Sequence, residues 1–172
     1  MNNKFPERKS LRLNGFDYNT PGAYFITFCT DKRRLLLSHI VGAIHESPEV
    51  KLKDYGKIVD AVIKNIPEHL NVTIDSYVIM PNHIHFIAVI TEEDVLKESE
   101  RVQNARSIIS RLVGYIKMNS SKTIRKQFGE VSVWQRGYYD HVIRDHDDYE
   151  SLSNYICENP LRWELDRFYS KL

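Results

Sequence analysis

The amino-acid sequence predicts an α+β fold, an antiparallel sheet with helices packed mainly on one face. Three observations carry that prediction. Apolar periodicity switches between two-residue and helical spacing in the order strand, helix, strand, strand, helix, strand, helix. The two middle strands are joined only by the Pro81-Asn82 corner, a link that suits antiparallel neighbours and is far too short for a parallel crossover. No internal repeat is present. At 172 residues the chain has the size of one domain, so residues 1–172 are taken as a single unit with residues 1–21 as an irregular N-terminal arm.

Each element follows from local composition. The arm is polar and carries the turn signals Asn14-Gly15 and Pro21-Gly22. Ala23 to Thr30 is aromatic and β-branched and apolar on both faces, which predicts a central strand. Residues 31–50 fit no single pattern. From Asp54 as N-cap, Tyr55, Ile58, Val59, Val62, Ile63 and Ile66 recur at helical spacing until Pro67 stops them. Strands over 72–80 and 83–90 follow, then an acidic connection. A second helix buries Ile108, Ile109, Leu112 and Ile116 and turns Arg111 and Lys117 outward. Short extended segments flank Gly137. A last helix begins near Asp145 to Asp148, whose carboxylates suit a helix N-terminus, and ends at Asn159 before Pro160.

Composition narrows the function. No apolar run approaches the ~20 residues of a membrane span, and the N-terminus lacks a signal-peptide core. The expectation is therefore a cytoplasmic protein with no membrane partner, whose Cys29 and Cys157 stay reduced. The net charge of +1 taken alone argues against a nucleic-acid partner. Its distribution argues the other way. Arg101, Arg106, Arg111, Lys117, Lys122, Arg125 and Lys126 fall in a stretch without Asp or Glu, and Arg8, Lys9 and Arg12 cluster near the start. Such segregation fits a positive face for phosphates, although a charge run is also what any solvated helix carries.

The chemistry-bearing groups sit in two places. His83 and His85 flank Ile84 on a strand, so both project from one face, ~7 Å apart along the chain. Two imidazoles on an apolar strand lose solvation without an evident partner, and metal ligation relieves that cost. The spacing places the metal reading somewhat above a structural one. Tyr155 and Asn159 are one helical turn apart and share a face. They offer a phenol and an amide oxygen, but from the residues alone packing is the favoured reading of Tyr155. The adjacent Tyr138 and Tyr139 point to opposite faces and are rival nucleophiles, one of them suited to stacking on a base. The role of His141 is not decided by the sequence.

The order Tyr77-Val78-Ile79-Met80-Pro81-Asn82-His83-Ile84-His85, Trp134-Gln135-Arg136-Gly137-Tyr138-Tyr139-Asp140-His141-Val142-Ile143-Arg144 and Tyr155-Ile156-Cys157-Glu158-Asn159-Pro160 resembles the REP-associated tyrosine transposases. These belong to the HUH single-tyrosine transposases, named for a histidine-hydrophobe-histidine motif. The opening Leu11 to Tyr18 and Pro21 to Phe25 are also similar, so the likeness covers nearly the whole chain. It implies a ferredoxin-like or RRM-like sheet. It further implies Tyr155 as nucleophile and His83, His85 and Asn159 as ligands of Mg²⁺ or Mn²⁺. The implied activity is cleavage and rejoining of single-stranded or hairpin DNA through a 5′-phosphotyrosine, with a monomer favoured over a dimer. Arg106, Arg111, Lys117, Lys122, Arg125 and Lys126 are then candidates for the DNA backbone, and Arg8 and Arg12 for hairpin recognition. The alternative is a non-catalytic nucleic-acid-binding module of similar fold.

Overall fold

The chain begins its regular structure with β1 (Gly22–Cys29), followed by a small antiparallel ribbon of β2 (Ser38–Val41) and β3 (Glu49–Leu52). Helix α1 (Asp54–Lys64) leads to the hairpin of β4 (Thr73–Ile79) and β5 (His83–Ile90), then to α2 (Glu92–Arg101) and α3 (Ile108–Phe128). The edge strand β6 (Tyr139–Ile143) and helix α4 (His146–Glu158) complete the order. This computed structural model describes residues 16–42, 48–66, 70, 72–101 and 107–169. The main sheet runs β4-β5-β1-β6 with every neighbour antiparallel. Strand β1 is central, as its apolar faces predict.

Strand alternation sorts the side chains into two layers. Tyr24, Ile26 and Phe28 of β1 and Ile84, Phe86 and Ala88 of β5 face α1 and α3, where Val59, Ile63, Ile109, Leu112 and Ile116 close the larger core. Each fully buried apolar side chain of this kind contributes roughly 1.5–3 kcal/mol. The opposite face carries Phe25, Ile87 and the histidines, and α4 lies there through Ile156, Leu152 and Tyr149. Two helices thus cover one face and the tyrosine helix the other.

Several local expectations change. Lys53, not Asp54, is the N-cap of α1, and it makes no side-chain capping bond; Asp54 is the first helical residue, where its charge suits the helix dipole. Its expected stop, Pro67, lies outside the described residues. The acidic connection is helical as α2, a polar helix that periodicity of apolar residues does not reveal. The last helix begins as expected, with Asp145 accepting from the Asp148 backbone N–H at 2.8 Å. Among the described residues, no helix is long and apolar enough to cross a membrane.

Candidate active site

The β4–β5 corner is built by residues around it. Met80 N–H donates to the His83 carbonyl at 2.9 Å and closes the hairpin. Thr30 N–H reaches the Asn82 carbonyl at 2.8 Å, and Leu37 N–H reaches that of Pro81 at 3.0 Å. The Asn82 amide nitrogen donates to the carbonyls of Phe168, at 2.8 Å, and Arg33, at 3.3 Å. Those two donations fix the amide orientation, so Asn82 Oδ1 accepts, and its partner His83 Nδ1 at 2.9 Å is the protonated nitrogen. His83 Nε2 therefore carries a lone pair.

That lone pair points at His85 Nε2, 2.9 Å away. His85 Nδ1 lies 2.7 Å from Thr27 Oγ1 on the neighbouring strand, in register with it. Both histidines are fully buried, 0% and 1% exposed, a degree of desolvation that needs a compensating partner. Burial first, then the Arg167 and Arg33 guanidiniums, bring the His83 pKa down to about 3. Burial and the neighbouring His83 hold His85 well below its ordinary value. Both imidazoles are accordingly neutral at physiological pH, the state that an imidazole must have to ligate a metal.

Helix α4 brings the second half of the site. Its apolar side, docked on Phe25 and Ile87, sets the Tyr155 ring edge-on to His85 at 5.2 Å between centroids. Tyr155 Oη is 3.5 Å from His85 Nε2 and donates to Asp166 Oδ2 at 3.2 Å. The Asn159 amide nitrogen donates to the same carboxylate oxygen at 3.1 Å, while the Asn159 Oδ1 is buried with no partner. Asp166 Oδ2 stands 3.9 Å from His83 Nε2, and one ligand atom from each of His83, His85 and Asp166 lies within 4.8 Å of the others. Burial first, then the Asp166 carboxylate, pushes the Tyr155 phenol above its ordinary pKa.

His85 and Tyr155 open onto a cleft of about 340 Å³, whose other walls include His141, Tyr139, Leu152 and Arg167. His141 Nε2 is held at 2.8 Å by Asp148, in the first turn of α4, which ties β6 to the tyrosine helix. The structure thus brings together His83, His85, Tyr155 and Asn159. Among the described residues, the basic candidates of α3 are not brought there. Lys122, Arg125 and Lys126 are exposed on α3, which packs against the sheet face opposite the histidines. Arg111 is half-buried on the same helix. Lys117, expected to point outward, turns its ammonium onto the carbonyls of Gln135, at 2.9 Å, and Gly137, and sits over the Phe28 ring. Arg8, Arg12 and Arg106 lie outside the described residues. Sequence reasoning missed Asp166, Asn82, Arg33 and Arg167; only Asn82 had a signal, its place beside His83 in the corner.

Comparison with known proteins then decides the family. The family model described as "Transposase IS200 like" matches residues 24–159. The chain belongs to the IS200-like transposase family. The match runs from β1 through Asn159 and so contains both histidines and Tyr155, whereas Asp166 lies beyond it. A Haemophilus influenzae protein described only as uncharacterized is 36% identical over 172 residues, covering 94% of this chain and 93% of its own length. A second protein of that organism, described as a REP-associated tyrosine transposase, is 24% identical over 146 residues, covering 85% of this chain and 74% of its own. Among solved structures, a REP-associated tyrosine transposase bound to a REP hairpin matches with a TM-score of 0.56 at 20% identity, over 83% of this chain and 68% of that one. At that identity the likeness speaks to the fold. It agrees with an IS200-like transposase built on a four-stranded antiparallel sheet.

Proposed function

We propose that this transposase cleaves and rejoins single-stranded DNA, at hairpin sequences of the REP type, through a covalent 5′-phosphotyrosine on Tyr155 and with a divalent metal at the histidine pair. The observation that carries the reading is the meeting of Tyr155 Oη with His85 Nε2 at 3.5 Å and Asp166 Oδ2 at 3.2 Å across the sheet–helix interface. Family membership and the hairpin-bound structural neighbour support a DNA-processing enzyme.

The donor set fits Mg²⁺ or Mn²⁺. His83 and His85 would bind through Nε2, Asp166 through a carboxylate oxygen, and Asn159 through the Oδ1 that is buried and otherwise unpaired. When bound, such an ion offsets charge on the scissile phosphate. Tyr155 Oη forms the new bond to phosphorus while the bond from phosphorus to the 3′ oxygen breaks. Asp166 Oδ2, which already accepts from the phenol, takes its proton. The leaving 3′ oxygen takes a proton from solvent. Attack by a 3′-OH in reverse re-forms the phosphodiester and frees Tyr155, so joining needs no ATP. Nucleophile and histidines meet within one chain, which supports a monomer over a dimer. Backbone contacts by Arg106, Arg111, Lys122, Arg125 and Lys126 and hairpin contacts by Arg8 and Arg12 complete the proposal; those on Lys122, Arg125 and Lys126 would lie outside the cleft.

The test is incubation with end-labelled hairpin DNA and Mn²⁺, read on a denaturing gel. A covalent adduct is expected from the native chain and none from Tyr155→Phe, from a His83→Ala, His85→Ala pair, or in EDTA. DNA binding without any adduct from the native chain would replace this reading with a non-catalytic binding module.

A further inference from the structure

Beside the cleft at Tyr155 lies a second cavity of about 430 Å³, with Tyr139 and Arg167 forming part of both walls. Its volume is in the range of small-ligand sites. Arg33, Arg136 and Arg167 line it, and no Asp or Glu does among the described residues. Three guanidiniums around one hollow favour a phosphate-bearing ligand.

The walls are built rather than incidental. Arg33 and its neighbour Lys32 hold left-handed backbone, φ 54° and 53°, which costs a non-glycine residue about 1–2 kcal/mol and persists only where the surroundings fix it. Gly137, at φ 112°, turns the opposite wall through a conformation that other residues rarely adopt. The half-buried Lys117 ammonium grips that wall at the carbonyls of Gln135 and Gly137. The Arg33 guanidinium donates to the Arg167 carbonyl at 3.2 Å, which ties the first wall to the segment that carries Asp166. At the divide between the cavities Tyr139 is 37% exposed, with the Arg167 guanidinium 5.5 Å from its ring centre. Tyr139 shares the sheet face of the histidines, since it pairs with Thr27, the residue in register with His85.

We propose that this second cavity seats one nucleotide of the single strand next to the scissile phosphate, with its phosphate on Arg33, Arg136 and Arg167 and its base stacked on Tyr139. The proposal rests on the reading of the cleft as a DNA-cleaving site and names the subsite that orients the strand entering it. Tyr139 is in this account a positioning residue, not a rival nucleophile. The loop Gln135-Arg136-Gly137 gains a function that the metal and the tyrosine do not give it. A stacked base is held without regard to its identity, so the subsite sets register and leaves sequence choice to other contacts.

The experiment is fluorescence anisotropy of the full chain with short single-stranded oligonucleotides in EDTA, an abasic site being walked along the strand. Tyr139→Ala is expected to weaken binding about 5- to 100-fold and Tyr139→Phe to leave it unchanged. One abasic position should cost the native chain a similar factor and cost Tyr139→Ala nothing further. Arg136→Ala should lower the slope of log affinity against log salt by about one. Wild-type affinity in Tyr139→Ala, an abasic penalty that adds in full to the Tyr139→Ala penalty, or an unchanged salt slope in Arg136→Ala would each overturn the proposal. Catalysis is read separately. A chain with the abasic signature that forms no adduct in Mn²⁺ sinks the cleavage reading and leaves the pocket standing, and an adduct without the signature does the reverse.

Discussion

Replacing Asp166 with asparagine removes the one anionic donor that faces the histidine pair among the described residues, while keeping its volume. The amide can still accept from Tyr155, so the perturbation is chiefly electrostatic. In the native chain, Mn²⁺ at a hundred times its dissociation constant should add about 2.7 kcal/mol to the unfolding free energy. For a chain of 172 residues that corresponds to a rise in melting temperature of about 5–10 °C. If Asp166→Asn weakens Mn²⁺ about 100-fold, the same concentration is only one dissociation constant, and the gain falls to about 0.4 kcal/mol, or 1–2 °C. Differential scanning fluorimetry reads this directly, each variant being referred to its own metal-free melting temperature. A native-sized shift in Asp166→Asn would refute Asp166 as a ligand. If Asn159→Ala alone then lost the shift, the third ligand would be the amide that the family resemblance named.

In EDTA, stability should fall as pH drops from about 6.5, because His83 and His85 are held neutral when folded and take up protons when unfolded. Their contribution is complete above the unfolded value of 6.5 and is lost below it at up to about 1.4 kcal/mol per pH unit for each imidazole. Urea unfolding between pH 7 and 5 checks this, and a flat profile in that window would contradict the burial of neutral imidazoles. Lys117→Met should destabilise by about 1–3 kcal/mol through two carbonyls left without their donor, seen in the urea midpoint. Replacing Lys122, Arg125 and Lys126 together by alanine should lower the slope of log affinity against log salt for hairpin DNA by about two or three; an unchanged slope would take the DNA backbone off α3.

The parts of the fold that were legible in the sequence are those where a periodic apolar pattern meets a chain stop. Strand β5 is an apolar run that opens with His83 and His85 on one face and Ile84 on the other, and α4 begins at an aspartate cap and ends at Asn159-Pro160. The histidine pair and the phenol were visible for the same reason, since strand alternation and helical spacing each put both members on one face. Asp166 was not visible. It caps a single 3₁₀ turn, Trp163–Leu165, beyond the last α-helix, and its position depends on the chain folding back there so that Phe168 reaches Asn82. The basic helix misled in the opposite way. Its charges are plain in the sequence, but which sheet face α3 covers is set by packing of Ile109, Leu112 and Ile116 against Ile84 and Phe86. Lys117 differs from its neighbours because two loop carbonyls happen to need its donor, a tertiary demand that no local pattern carries.

The central claim is that Tyr155 attacks DNA from its place against His85. Its most direct measurement is mass spectrometry of proteolytic fragments from the protein reacted with hairpin DNA and Mn²⁺ and then digested with nuclease. A nucleotide mass is expected on the peptide containing Tyr155, and no such mass in EDTA. The same mass on Tyr138 or Tyr139, or cleaved DNA with no modified tyrosine, would contradict it.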